Sequence, residues 1–206
     1  MAADPSISPE QLLERACAGN LQALAELLDL YRNYLAILAR VHIDTTLQPK
    51  ADPSDLVQEA CLHAVRDFPH FRGTTEAEFL AWLRRILAHR GIAMIRRYKQ
   101  ARQRDVTREE QIAAEIDQSA QALALVPMST HYSPSQSAAR REMGVLLADA
   151  LAGLPEHYRD ALILHHLEQR PIAEVAQRMG RTVDSVKKLL ARGLIRLRSA
   201  MEGMKS

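Results

Sequence analysis

Between Pro171 and Leu190 three residues are spaced as two crossed helices require: Ala176, Gly180 four positions on, and Val186 six further. A small residue lets the first helix approach the second, a glycine takes the left-handed turn conformation, and a β-branched apolar residue packs the second helix back. Pro171 suits the opening of the first helix, Gly180 its C-terminal cap, and Thr182 the N-cap of the second, which continues to about Met201. A helix-turn-helix is therefore expected. It turns Asp184, Ser185, Lys187, Lys188 and Arg192 outward as a polar face suited to a DNA major groove.

The rest of the chain reads as helix too, with no alternating strand pattern of any length and no internal repeat. Pro9–Ala18 forms a short helix closed by Gly19-Asn20. Leu21–Val41 is expected as one longer helix, with Leu24, Leu27, Leu28, Tyr31, Leu35 and Leu38 in a single apolar stripe, followed by a loop over His42–Ala51. Asp52-Pro53 supplies an N-cap and a proline in the first turn of a helix reaching about Phe68. After a break at Pro69–Thr74, the capping box Thr75-Glu76-Ala77-Glu78 opens a helix to about Arg102, with Phe79, Trp82, Leu83, Ile86 and Leu87 turned to a core. Residues 105–136 begin acidic and end Ser/Pro-rich, the composition of a linker. A second unit starts near Ser137, with Met143, Leu146, Leu147, Ala150 and Leu151 on one face, and a helix from Pro155 to Leu167 precedes the helix-turn-helix. The expected fold class is all-α: two small helical domains, residues 9–104 and 137–203, joined by a flexible linker over 105–136.

Charge distribution says more than net charge, which is only +2 over 206 residues. From Arg84 to Arg104 there are eight Lys or Arg and no acid, and from Arg181 to Lys205 seven bases stand against Asp184 and Glu202. Two separate basic stretches suit a protein that touches a polyanion at two places. Catalysis leaves no trace: there is no Ser/His/Asp grouping, phosphate loop, dinucleotide-binding turn or HExxH, and adjacent His165-His166 cannot form an i, i+4 metal pair. No enzyme activity, cofactor or metal is expected. Cys17 and Cys61 read as reduced, buried thiols. With no signal-peptide core and no apolar run near membrane-spanning length, the chain is expected in the cytoplasm, without membrane insertion.

Two further segments carry function. Asp55-Leu56-Val57-Gln58-Glu59-Ala60 places Asp55 and Glu59 four apart, an acidic strip beside Gln58. Such a strip is either a solvated helix face or a docking surface. Phe79-Leu80-Ala81-Trp82-Leu83-Arg84-Arg85 sets the only tryptophan at the start of the basic run. Trp82 is either core or a stacking platform for unpaired bases beside a cationic groove.

In this order, Asp55–Ala60, Phe79–Arg85, Arg96-Arg97 and the Leu154-Pro155…Arg159 approach to the helix-turn-helix resemble the bacterial sigma-70 family. The match is to its small, two-domain extracytoplasmic-function (ECF) group, over about Gln11–Arg104 (region 2) and Ser137–Met201 (region 4). The resemblance implies a factor that binds core RNA polymerase through its β′ and β subunits, recognises −35 and −10 promoter elements, and promotes melting and initiation. It makes Asp55, Leu56, Gln58 and Glu59 polymerase-binding residues on the β′ coiled coil. It makes Phe71, Arg72 and Thr74 part of a loop that receives a flipped base. Trp82, Arg85, His89, Arg90, Arg96 and Arg97 would line the path of the melted −10 strand. Arg181, Thr182, Asp184, Ser185, Lys187, Lys188 and Arg192 become the −35 contacts, and an anti-sigma factor becomes an implied partner. No counterpart of the acidic N-terminal inhibitory domain of housekeeping sigma factors is recognised. Ala191-Arg192-Gly193-Leu194 departs from the family's Arg-Ala-Arg pattern, and Gly193 within a helix costs about 0.5–1 kcal/mol.

Two other readings use the same motifs. A stand-alone regulator would bind an operator tightly without polymerase, usually as a dimer on paired half-sites. An interaction module that titrates anti-sigma factors would keep the fold without opening promoters. Run-off transcription separates both from an initiation factor.

Overall fold

Capping chemistry decides where the first helices begin and end. Helix α1 (Pro9–Cys17) opens on Ser8, whose hydroxyl accepts from the Gln11 amide while the Gln11 side chain accepts from the Ser8 amide. It closes on Gly19, left-handed at φ +93°, with Gly19 N–H donating to Ala16 O and Asn20 N–H to Arg15 O. Asn20 then caps α2 (Leu21–Leu30), its side-chain oxygen accepting from Ala23 N–H at 3.1 Å.

The computed structural model describes residues 7–46, 52–99, 114, 116, 117 and 137–204, and divides the chain into two units, Met1–Asp117 and Gln118–Ser206. Nine α-helices and no strand occur among the described residues. None of those helices is long and apolar enough to cross a membrane.

In the first unit the single helix expected over Leu21–Val41 is two. The chain bends at Tyr31, and α3 runs over Arg32–Thr46, extending helix into the stretch expected as loop. Tyr31 is fully buried, and its hydroxyl donates to Glu76 Oε1 at 2.7 Å. Glu76 is buried at 8% exposure, and it sits in the first turn of α5, where the helix dipole favours a carboxylate. The remainder of the expected loop, residues 47–51, lies outside the described residues.

Helix α4 (Pro53–Asp67) begins where Asp52 accepts from Ser54 N–H at 2.9 Å. A 3₁₀ turn over Phe68–His70 and an extended stretch lead to α5 (Glu76–Lys99). The capping box forms: Glu78 N–H donates to Thr75 Oγ1, and Glu78 Oε2 accepts from the Thr75 and Thr74 amides at 3.1 and 2.8 Å. The core lies between α1–α5 and contains Leu13, Leu24, Leu27, Leu35, Leu38, Leu56, Phe79, Leu83 and Leu87. Gly91 of α5 lies opposite Leu56 of α4, close to ordinary van der Waals range. Most of 105–136, expected as linker, lies outside the described residues. Ala114, Ile116 and Asp117 are helical, with Ile116 buried.

The cysteine expectation needs correcting. Cys17 is exposed and Cys61 half-buried, because α1 turns Leu12, Leu13 and Ala16 inward and leaves position 17 on the solvent side. Burial pushes the Cys61 thiol up from its ordinary value.

The second unit comprises α6 (Ser137–Ala152), α7 (Glu156–Leu162), a wider π-type turn over Ile163–Leu167, α8 (Ile172–Arg178) and α9 (Val183–Gly203). The buried side of α6 is Val145, Leu147, Ala148, Ala150 and Leu151, whereas Met143 and Leu146, expected inside, are half-buried. The π-type turn closes on Gln169 at φ +54°, with Arg170 N–H donating to Leu164 O. Arg170 then bonds Glu168 Oε2 at 2.8 Å and Glu174 Oε1 at 2.5 Å, fixing the start of α8.

Candidate nucleic-acid and polymerase interface

Helix α4 has an outer face of mixed chemistry. Asp55 and Gln58 are exposed and Glu59 is half-buried. Leu56 is 1% exposed, packed toward Gly91 of α5. Its expected role as a direct contact is therefore corrected: Leu56 holds the helix down and cannot itself reach a partner. The same helix exposes two residues missed from sequence, Leu62 at 64% and Val65 at 46%. Positions 55, 58, 62 and 65 recur at three-to-four spacing, so they share a face. Exposed leucine in line with the acidic strip was the signal available.

The loop between α4 and α5 gathers every phenylalanine of the chain around its only tryptophan. Phe71 lies 5.7 Å from Phe68 in a stacked pair, 5.7 Å from Phe79 edge-on, and 5.1 Å from Trp82. Phe79 is fully buried and Phe68 nearly so, while Phe71 and Trp82 are half-buried. Trp82 packs against Phe68, Phe71 and Phe79 and keeps part of its surface open to solvent. Gly73 fits beneath the Phe71 ring, where a Cβ would sit 2.4 Å from Phe71 Cζ and 2.9 Å from Glu78 Cβ. Arg72 folds back on the loop, donating to Pro69 O at 3.0 Å and Phe71 O at 3.3 Å. Thr74 contributes its amide to Glu78, and the donors from Thr74 and Thr75 hold the Glu78 carboxyl below the usual carboxylate range.

Along α5, Trp82, Arg85 and His89 follow one face, the last two exposed. Arg90 turns away from that face toward α4, with Nη1 2.9 Å from His63 Nε2. Burial, then Arg90 and Arg66, push the His63 pKa down. Arg84, part of the same basic run, bonds Asp117 at 2.7 Å. The side chains of Arg96 and Arg97 lie outside the described residues.

In the second unit the turn geometry follows the expected spacing. Ala176 and Val186 are buried, and Gly180 is left-handed at φ +60°. Arg181 N–H donates to Ala176 O at 2.9 Å and Gly180 N–H to Gln177 O at 3.2 Å, the paired bonds of a helix end that needs glycine. Thr182 accepts from Ser185 N–H at 3.2 Å, so its hydroxyl is committed to capping α9. Arg181, Asp184, Lys187, Lys188 and Arg192 are exposed and Ser185 is half-buried, while Leu190 turns inward. Gly193 is buried where α9 crosses α7, and a Cβ there would lie 3.2 Å from Leu162 Cδ1. Its departure from the family pattern thus has a packing reason. Leu194 at 39% and Ile195 at 69% leave an apolar patch on the C-terminal half of α9, which sequence reading did not single out.

An acidic-apolar helix, an aromatic loop with a basic helix, and a helix-turn-helix stand on one chain, and the family models that it matches make it a transcription initiation factor. Residues 27–102 match the family model described as Sigma-70 region 2, and residues 145–197 match Sigma-70, region 4. Together the two cover more than half of the chain. Relatives include the ECF RNA polymerase sigma-E factor of Haemophilus influenzae, 26% identical over 190 residues, spanning 90% of this chain and 91% of that protein. The ECF RNA polymerase sigma factor SigM of Mycobacterium tuberculosis is also 26% identical over 190 residues, spanning 92% and 83%. The solved structure of CnrH in complex with the cytosolic domain of CnrY is similar at 20% identity, covering 95% of this chain and 97% of that one, with a TM-score of 0.37. The chain belongs to the sigma-70 family, with the region 2 and region 4 domains of its ECF group.

Proposed function

We propose that this ECF sigma factor docks on core RNA polymerase through the outer face of α4 and captures the melted −10 strand at the aromatic loop. It reads the −35 element with α9. Asp55, Gln58 and Glu59 supply the charged part of the docking face, and Leu62 and Val65 the apolar part that gives such a contact its strength. Phe71, Gly73 and Thr74 form the loop that accepts an unstacked base, with Trp82, Arg85 and His89 beside it as stacking platform and phosphate contacts. Arg72 and Arg90 have intramolecular partners and support this surface. Arg181, Asp184, Ser185, Lys187, Lys188 and Arg192 face the major groove, the bases to phosphate or guanine and Ser185 to either. An anti-sigma factor is the expected regulatory partner. Its footing would be the exposed apolar residues on α4 and α9.

The observation carrying this reading is the partly open Phe71–Trp82 pair at 5.1 Å, directly ahead of Arg85 and His89 on α5. A regulator that reads only duplex has no use for a partly open aromatic pair at the head of a cationic helix. The test is run-off transcription with purified core polymerase. Promoter-specific transcripts that require this chain support the reading. Tight operator binding without polymerase, or polymerase binding without transcripts, would overturn it.

A further inference from the structure

Arg84 is the exception in the basic run of α5. Its side chain is 19% exposed, its Nε donates to Asp117 Oδ1 at 2.7 Å, and it lies beside Tyr34 of α3. Two residues of the segment after α5 therefore fasten to the first unit: Asp117 by this ion pair, and Ile116 by burial to 2% exposure. Ala114, Ile116 and Asp117 are helical. At about 100° per residue, Arg84 lies roughly 130° around α5 from the Trp82–Arg85–His89 face, so the contact leaves the strand surface open. An exposed ion pair alone contributes little. Here the arginine is largely buried, and Ile116, next to Asp117 in the chain, is buried as well, which makes a contact worth keeping.

The consequence is a matter of length. α6 starts at Ser137. A tether over the whole of 105–136, about 32 residues, could span at most ~110 Å at ~3.4 Å per residue. One that starts after Asp117, about 19 residues, spans at most ~65 Å. The difference of ~45 Å corresponds to about 13 base pairs of B-DNA at 3.4 Å per pair.

We propose that the Asp117–Arg84 ion pair, together with the buried Ile116, is a latch that shortens the interdomain tether and so sets the promoter spacing this factor accepts. The inference rests on the two-element promoter reading above. Releasing the latch lengthens the tether without touching either DNA-binding surface, and makes the second contact less sensitive to the distance between the two elements.

Two measurements test it on the full-length chain. In the free protein, the amides of Ile116 and Asp117 should exchange at least about 10-fold more slowly than unstructured chain, and Ile116→Ser with Asp117→Ala should remove that protection. Asp117→Glu should keep most of it. In transcription with core polymerase, a promoter recovered by in vitro selection is rebuilt with its spacer changed one base pair at a time. Wild type and Asp117→Glu should lose about 10-fold in output two base pairs from the best spacing, and the double variant about 3-fold or less, with similar output at the best spacing. Unprotected amides in the wild type, or an unchanged spacing profile after protection is lost, would overturn the latch. Failure of wild type to yield any promoter with core polymerase is a separate result: it removes the promoter reading and the spacing role with it, whatever the exchange data show.

Discussion

The ring of Phe71 lies over the backbone of Gly73 so closely that a single added Cβ would meet Phe71 Cζ at 2.4 Å and Cε2 at 2.8 Å. Glu78 Cβ blocks the other side at 2.9 Å, and Glu78 is itself held by the Thr74 and Thr75 amides. Relief has to come from the ring, which then loses its stacking on Phe68 and its contact with Trp82. Gly73→Ala is expected to destabilise the first unit by about 1–3 kcal/mol, the usual cost of overpacking. Because Trp82 is the only tryptophan, its fluorescence should shift as Phe71 moves. Permanganate reactivity of thymines near −10 should fall in the same variant. Unchanged emission and unchanged opening would mean that the loop is not the base-capturing element.

The docking face of α4 makes a different prediction. Leu62 is 64% exposed, so replacing it should not disturb the fold. Leu62→Asp is expected to leave stability within about 0.5 kcal/mol of wild type, as surface changes do. The same variant should weaken core-polymerase binding by about 10-fold or more, as loss of an apolar anchor at an interface centre does. Asp55→Ala should act more mildly and lose its effect at high salt, as an electrostatic contact would. Equilibrium binding to core polymerase at two salt concentrations measures both.

Much of this was legible because local rules and tertiary structure agree. Asp52, Thr75 and Thr182 cap helices as their residue types predict, and Gly180 takes the turn that Ala176 and Val186 frame. Periodicity failed where a tertiary contact overrides it. The apolar stripe runs unbroken through Tyr31, yet the helix breaks there, and the Tyr31 hydroxyl meets Glu76, 45 positions away. Leu56 sits within the docking motif, but its neighbour across the helix pair is Gly91, so burial decides its role. Arg84 reads as one more cation until Asp117 appears beside it. Charge runs show composition, and which members are already paired depends on contacts distant in sequence.

Two glycines of the helix-turn-helix, Gly180 and Gly193, separate backbone from packing effects. Gly180 has φ +60°, and a methyl added there would meet nothing within 4 Å, so Gly180→Ala faces only the left-handed conformation. Its cost should be about 1–2 kcal/mol. Gly193 is helical, and alanine there gains up to about 1 kcal/mol of helix propensity. That gain is set against a 3.2 Å approach to Leu162 Cδ1, the end of a side chain that can shift. Gly193→Ala should therefore stay within about 1 kcal/mol of wild type. Chemical denaturation of both variants decides it: equal losses would mean that the α7–α9 crossing is as rigid as the turn.

Acidification should loosen the second unit through His166. Its Nε2 is buried with no hydrogen-bond partner among the described residues, and its ring stands 4.9 Å from that of His165. Burial, then the neighbouring His165, push the His166 pKa below its ordinary value. The folded state thus binds this proton less readily than the unfolded chain. The sign follows: the contribution to stability is complete above the unfolded value of about 6.5 and is lost as pH falls from there toward the lower folded value. The thermal midpoint of wild type should drop between pH 7.5 and 5.5 by more than that of His166→Gln, which carries no titrating group at this position. His165 is held by Arg170 O at 2.9 Å, and the substitution removes only the His166 ring, so the difference between the two pH profiles reads His166. Parallel profiles would show that its buried nitrogen takes up a proton without cost.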